Sequence, residues 1–250
     1  MVDRLFAEPW LAALYDLWSP GEQRDDFAFY RPLVMAAPRV LDVGCGTGEL
    51  LGMARQAGHS GRLCGLDPAD AMLARARRRP GGPGVEWVLG DLGSVSWAQE
   101  FDLVVMSGHA FQVLLADEEI RSALAAIRRA LVPGGRFAFE TRNPPARTWA
   151  GWAPEHPVEV TGPPGTFRME HQVELPTDGE YVSFTTTFTS PGWDGPQTSR
   201  STLRFLDAGP LAGFLAGAGL DITEQYGDWG RQPLAETSPE IITIATRPTG

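Results

Sequence analysis

Between residues 38 and 141 the chain alternates short apolar runs with amphipathic stretches, and this alternation limits its possible folds more than any other feature. "RVLDV", "GRLCGLD", "VEWVLGD", "FDLVVM" and "RFAFET" have the length and apolar content of buried strands. "ELLGMARQAG" reads as a helix closed by glycine, and "PADAMLARARRR" as a helix with Pro68 or Ala69 near its start. "DEEIRSALAAIRRALVPGG" opens with acids and carries a buried stripe at Ile120, Leu124, Ile127 and Leu131. Strands that alternate with helices imply right-handed crossovers and a parallel sheet covered on both faces, an α/β fold.

The pattern differs on either side of this core. Residues 9–18 place Trp10, Leu11, Leu14, Leu17 and Trp18 at amphipathic helical spacing, and residues 19–37 read as a loop followed by a second short helix. After residue 142 the chain is proline-rich and shows no helical period. "FRMEHQVEL", "EYVSFTTTFTS" and "TSRSTLRFL" read as an antiparallel meander, divided by "PTDG" and "PGWDGP". The last fifty residues return to a helix, "AGPLAGFLAGAG", and two strands, "LDITEQYG" and "EIITIAT". Three segments follow: an N-terminal helical cap (1–37), a core (38–143 and 206–250), and an antiparallel β insertion (144–205) that serves as a substrate lid or an oligomer contact.

The loop after the first strand, "VLDVGCGTGEL", sets Gly44, Gly46 and Gly48 two residues apart. A dinucleotide fingerprint needs glycine where Glu49 stands, and a P-loop needs a G-K-[ST] ending that is missing here. Asp42 and Glu49 would repel a pyrophosphate. The loop therefore suits a ligand of little negative charge that approaches the backbone closely. Asp67 ends the second strand, 23 residues after Gly44, where a carboxylate can accept from a ribose diol. Asp91 ends the third strand, within reach of an exocyclic amine. A ribose, an aminated base and a cationic or zwitterionic tail together describe S-adenosylmethionine.

The motifs "VLDVGCGTG", "GLDPADAML", "VLGDL", "FDLVVMSGHAF" and "LVPGGRFAFETRNP", in this order, resemble those of class I S-adenosylmethionine-dependent methyltransferases. The resemblance covers residues 38–143. It implies a seven-stranded Rossmann-like sheet of order 3-2-1-4-5-7-6, with strand seven antiparallel and the β insertion following strand five. It places cofactor contacts at Tyr15, Asp42, Gly44, Cys45, Gly46, Gly48, Asp67, Pro68, Met72, Gly90, Asp91, Leu92, Ser107 and Gly108. Acceptor contacts are expected at Glu140, Arg142 and Asn143, polar residues after strand five that packing does not explain. They are also expected at Tyr226 and Trp229 after strand six, at Phe111 after strand four, and at Tyr30, an N-terminal aromatic residue of the kind that closes over the cofactor in related enzymes. Trp149 and Trp152 open the insertion and fit a lid. The insertion after strand five also resembles methyltransferases of specialised metabolism, sugar N-methyltransferases among them.

Methyl transfer needs alignment, and a base only where the nucleophile must lose a proton. His109, two residues past strand four, is the candidate base, with an ordinary pKa of about 6.5; its alternative role is to orient the loop or stack on substrate. His59 is expected to be exposed. His156 and His171 lie in the insertion. Four histidines without close spacing give no metal-ligand pattern, so no metal is expected.

Nucleic-acid binding usually uses a basic face, and a net charge of −10 argues against one. The "RARRR" cluster, Arg75 to Arg79, closes a helix and reads as a solvated helix end. Cys45 and Cys64 read as buried structural thiols. No apolar run is long enough to span a membrane, and the N-terminus has no signal-peptide run, so a cytoplasmic protein is expected. The expected function is methyl transfer from S-adenosylmethionine to O or N of a small-molecule acceptor, by a monomer or homodimer. The alternatives are an RNA or protein methyltransferase, and a cofactor-binding protein without transfer activity. The N-P-P-[YF] signature of amino-methylating nucleic-acid enzymes belongs after strand four, where "SGHAF" stands; "NPP" at 143–145 reads as a turn.

Overall fold

The computed structural model describes residues 2–21, 24–162, 165–175 and 177–249. Three helices come first: α1 (Arg4–Ala7), α2 (Pro9–Trp18) and α3 (Asp25–Ala36). The core follows as β1 (Arg39–Val43), α4 (Glu49–Gln56), β2 (Arg62–Asp67), α5 (Asp70–Ala76), β3 (Glu86–Leu89), β4 (Phe101–Met106), α6 (Asp117–Ala130) and β5 (Leu131–Arg142). The insertion holds β6 (Val158–Gly162), β7 (Gly165–Val173), β8 (Tyr181–Thr189) and β9 (Gln197–Arg204). The chain closes with α7 (Ala208–Gly217), β10 (Asp221–Tyr226) and β11 (Glu240–Thr246).

The large sheet has the order β10-β11-β5-β4-β1-β2-β3. In the sheet's own count that is 6-7-5-4-1-2-3, the expected order read from the other edge. β1, β2, β3, β4 and β5 pair in parallel, and β11 is antiparallel to both β5 and β10. Strand order reverses between β1 and β4, which opens a crevice at the carboxyl ends of the strands. Val43, Asp67, Met106 and Arg142 end four strands at that edge.

Helix α6 shows how the sheet is covered. Ile120, Leu124 and Ile127 are fully buried against Phe101, Phe137 and Phe139. Each such burial contributes about 1.5–3 kcal/mol. The helix stops at Ala130, and Leu131 already belongs to β5, so the helical stretch read through "LVPGG" ends early. Pro133, Gly134 and Gly135 cannot continue a helix.

The insertion is a second sheet of order β6-β7-β8-β9, antiparallel throughout. It has one strand more than the sequence pattern gives. β6 is short and largely exposed, so its five residues carry little apolar signal. Helix α2 joins the two sheets. Leu11 and Leu14 pack on Phe167 and Phe188 of the insertion, while Ala12 packs on Ala69 and Met72 of the core. Leu5 N–H donates to Ser199 Oγ (3.0 Å), and Ser201 Oγ donates to Asp3 Oδ2 (2.5 Å).

His59 is buried rather than exposed. The turn after α4 folds back, bringing Nε2 within 2.8 Å of the Ala37 carbonyl. His156 is exposed, and Cys45 and Cys64 are buried free thiols. "NPP" forms a short 3-10 turn over Pro144–Ala146. Among the described residues no helix is long and apolar enough to cross a membrane, and no group of three His, Cys, Asp or Glu side chains is placed to hold a metal.

Candidate active site

The glycine loop has a fixed conformation. Gly44, Gly46 and Gly48 have φ of 72°, 55° and 72°, in the left-handed region. Gly44 N–H and Cys45 N–H donate to the Leu66 carbonyl at 2.8 and 3.2 Å, tying the loop to β2. The glycines differ in their surroundings. A Cβ on Gly48 would strike the Trp87 ring and lie 2.8 Å from Ala76 Cβ, whereas one on Gly46 would meet nothing within 4 Å. Gly48 is glycine because Trp87 packs there, and Gly46 faces open space.

Asp67 braces this loop. Its Oδ2 accepts from Gly46 N–H and its Oδ1 from Ala69 N–H, both at 2.8 Å. Each carboxylate oxygen keeps acceptor capacity for a ligand hydroxyl. Burial raises the Asp67 pKa against these two bonds. Asp67→Ala is expected to weaken S-adenosylmethionine binding by roughly 1.5–3 kcal/mol, the scale of hydrogen bonds to a charged group. Calorimetric titration checks this, and unchanged affinity would remove Asp67 from the site. Asp91 Oδ1 caps the next turn, accepting from Gly93 and Ser94 N–H at 3.0 and 2.9 Å.

Asp42 is 1% exposed, and its Oδ1 has no hydrogen-bond partner. Burial raises its pKa to about 7, although Arg24 opposes the shift. An orphaned carboxyl oxygen on the cavity floor fits a ligand ammonium. In the free protein, the stability Asp42 contributes is complete below its ordinary value of 3.8 and is lost as pH rises through about 7. Asp42→Asn should therefore be more stable than the parent by about 2–4 kcal/mol at pH 8, and the difference should close near pH 4. Paired thermal melts at the two pH values test this, and equal stability at pH 8 would contradict it.

A cavity of ≈ 570 Å³ runs from this loop to the insertion sheet. Its wall includes Tyr15, Asp42, Gly44, Cys45, Gly46, Asp67, Pro68, Met72, Gly90, Asp91, Leu92, Ser107, Gly108, His109 and Arg142. The opposite side comes from His171, Phe184, Thr186, Ser201 and Leu203 of β7, β8 and β9. Most of the sequence-derived cofactor positions thus converge. Gly48 lies behind the loop, against Trp87.

Several expected acceptor residues stand behind the wall instead. Tyr30 is fully buried and its hydroxyl donates to Glu140, itself 0% exposed. Phe111 stacks on Phe139 in the core, and the Asn143 amide donates to the carbonyls of Ala235, Glu236 and Ser238. Tyr226 and Trp229 pack edge-on against Phe29. Trp149 and Trp152 pack with Phe205.

His109 sits beyond β4 with φ of 61°, an uncommon conformation for a non-glycine residue. Its backbone N–H donates to Glu140 Oε1 (2.7 Å), which Tyr30 also engages. Its Nε2 lies 3.1 and 3.0 Å from the two oxygens of Glu240, the first residue of β11. Burial, helped by Arg142, lowers the imidazole pKa to about 3, and burial raises Glu240 to about 7. Near neutrality the proton that matters belongs to the pair. With Glu240 ionised, Nε2–H donates to it and Nδ1 is an open acceptor. With Glu240 protonated, its hydroxyl donates to Nε2 and the ring proton moves to Nδ1.

Sequence reasoning missed Glu240 and Arg24. Arg24 follows α2, lines the cavity and pairs with Asp26. Glu240 is 131 residues from His109, and only the β5–β11 pairing brings it there. In the arginine cluster Arg77 and Arg78 are exposed, as a solvated helix end, whereas Arg79 and Arg75 form a tether. Arg79, 14% exposed, donates to the Thr47 carbonyl (2.6 Å) and to Asp16 (3.0 Å), and Arg75 reaches Asp16 at 3.3 Å. These bonds hold α2 against the glycine loop.

Residues 40–135 match the family model for a methyltransferase domain. A 2-phytyl-1,4-naphtoquinone methyltransferase of Thermosynechococcus vestitus is 41% identical over 40% of this chain and 44% of its own length. The matches reach about half the length of the curated relatives. The CcbJ methyltransferase of Streptomyces caelestis has a similar structure, with a TM-score of 0.77 at 23% identity over 95% of this chain and 96% of its own. So does CalS10 of Micromonospora echinaspora, an amino pentose methyltransferase solved with S-adenosylmethionine bound (TM-score 0.68, 24% identity, 94% and 96% covered). At these identities the two structures establish the shared fold, insertion included. Asp42, with its unpartnered buried oxygen, Gly46, with open space at its Cβ position, and Asp67 present groups that fit S-adenosylmethionine.

Proposed function

We propose that the protein transfers a methyl group from S-adenosylmethionine to a nitrogen or oxygen of a small-molecule acceptor, with residues 144–205 as the roof of the acceptor site. The observation that carries this reading is the continuity of the cavity. The same space touches the glycine loop, the end of β4 and the inner face of the insertion sheet. The likeness to an amino pentose methyltransferase favours a sugar amine, of the kind found in specialised metabolism.

S-adenosylmethionine, when bound, supplies a methyl group already activated on a sulfonium. The chain's own residues hold and align. The loop backbone at Gly46 allows close approach, and Asp67 holds a ribose hydroxyl. Asp42 and Arg24 face the amino and carboxylate ends of the methionine part. Ser107 and Gly108 lie where donor and acceptor meet. His109 Nδ1 takes the acceptor's proton, while Glu240 holds Nε2–H and Glu140 fixes the loop through the backbone N–H.

The test is S-adenosylhomocysteine formation with a panel of amino sugars, amines and phenols, followed by mass spectrometry of the acceptors. Acceptor-dependent turnover is expected. Tight cofactor binding without turnover on any acceptor would favour a binding protein instead.

A further inference from the structure

Arg142 is a cation that forms no ion pair among the described residues, although Glu240 and Glu140 lie close enough to favour its charge. It ends β5 at the carboxyl edge of the sheet and faces the cavity. Its backbone N–H and Nη1 both donate to Gln112 Oε1, at 3.3 and 3.1 Å, and its guanidinium lies 5.0 Å from the centre of the Trp152 ring. Gln112 is 1% exposed and its own Nε2 donates to the Arg204 carbonyl at 2.9 Å, which leaves Oε1 turned toward Arg142. The contacts Arg142 makes are thus a neutral amide and an aromatic face. Among the described residues no carboxylate forms an ion pair with it.

The acids closest to it are engaged elsewhere. Glu140 accepts from Tyr30 O–H and His109 N–H, and Glu240 pairs with His109 Nε2. Arg24, the other arginine on the cavity wall, pairs with Asp26 and is assigned above to the cofactor's carboxylate end. Across the cavity, His171 is held at Nδ1 by Thr186 Oγ1 (3.0 Å) and flanked by Phe184. Burial and Arg142 both lower the His171 pKa, so it is neutral at pH 7. Burial likewise lowers that of Arg142, and Glu240 and Glu140 offset it only in part. Buried guanidinium groups are ordinarily paired, and this one keeps unused N–H donors in a planar fork that matches a carboxylate or phosphate.

We propose that Arg142 anchors an oxyanion, a carboxylate or phosphate group carried by the methyl acceptor, in the part of the cavity between His109 and His171. The word acceptor rests on the methyl-transfer reading; the oxyanion site does not. β4 and β5 are neighbours, so an acceptor held at Arg142 presents its remaining atoms to the end of β4 and His109.

The test is titration of malonate and, separately, inorganic phosphate into the protein, followed by NMR, with and without saturating S-adenosylhomocysteine. Malonamide is the uncharged control. At least one anion should bind saturably and malonamide should not. Arg142→Gln should weaken the anion by roughly tenfold or more, and Arg142→Lys, which keeps the charge but loses the fork, should fall between. S-adenosylhomocysteine affinity of each variant serves as the fold check. Binding of malonate alone assigns a carboxylate acceptor, of phosphate alone a phosphorylated one, and of both an oxyanion subsite shared by the two. Binding of neither anion, or equal binding by Arg142→Gln and the parent, overturns the proposal. Anion binding that depends on Arg142 in a protein that ignores S-adenosylhomocysteine would keep the oxyanion site and remove the methyl-transfer reading.

Discussion

Replacing Gly46 with valine is expected to abolish S-adenosylmethionine binding while the protein stays folded. The Cβ position of Gly46 meets no protein atom within 4 Å, so the new side chain fills only the space the ligand would use. The φ of 55° adds strain of about 1–2 kcal/mol or somewhat more for a β-branched residue, less than the total stability of a domain. Gly48→Ala is the matching control. Its methyl group would collide with Trp87 and Ala76, so the damage should appear in the melting temperature rather than chiefly in affinity. Calorimetry and thermal melts on the two variants separate the roles. Normal binding by a folded Gly46→Val protein would mean that the loop does not approach the cofactor.

The second large effect concerns the His109–Glu240 pair. His109→Gln should retain cofactor affinity and slow turnover by about 10²–10⁴-fold, the scale of general base catalysis. The ascending limb of the pH–rate profile should lie near 7. Its origin is Glu240, raised to about 7 by burial, because ionisation of this carboxyl frees Nδ1 of the ring. The imidazole itself, lowered to about 3, gains no proton of its own in that range. The other charged groups around the pair are Arg24 and Asp26 near α3, and Glu140 and Arg142 of β5. Glu240→Gln should flatten the limb and add little further loss in the His109→Gln background. If His109 only shapes the pocket, the loss should fall mainly on the acceptor KM and the limb should persist.

The parts of this fold legible in the sequence are those with a local signal. Period and glycine spacing mark β1, the loop and α4, and acids at strand ends mark Asp67 and Asp91. What was not legible depends on residues far apart in the chain. Tyr30 and Glu140, 110 residues apart, meet inside the core, so two residues expected at the acceptor form a brace for the His109 loop. Arg79 looks like any helix-terminal arginine until α2 folds over it and presents Asp16. Glu240 opens an apolar strand with no pattern of its own, and only its place across from Arg142 sets it beside His109. His59 reads as a loop residue because its acceptor, the Ala37 carbonyl, lies 22 residues earlier.

The deciding measurement is a crystal structure with S-adenosylhomocysteine bound. The ribose hydroxyls are expected within hydrogen-bonding distance of Asp67, roughly 2.6–3.2 Å, with the Gly46 backbone against the ligand. The sulfur should turn toward Ser107–His109, in the space that His171 and Phe184 line from the insertion. A nucleoside held elsewhere, or a sulfur directed away from His109 and the insertion sheet, would contradict this arrangement.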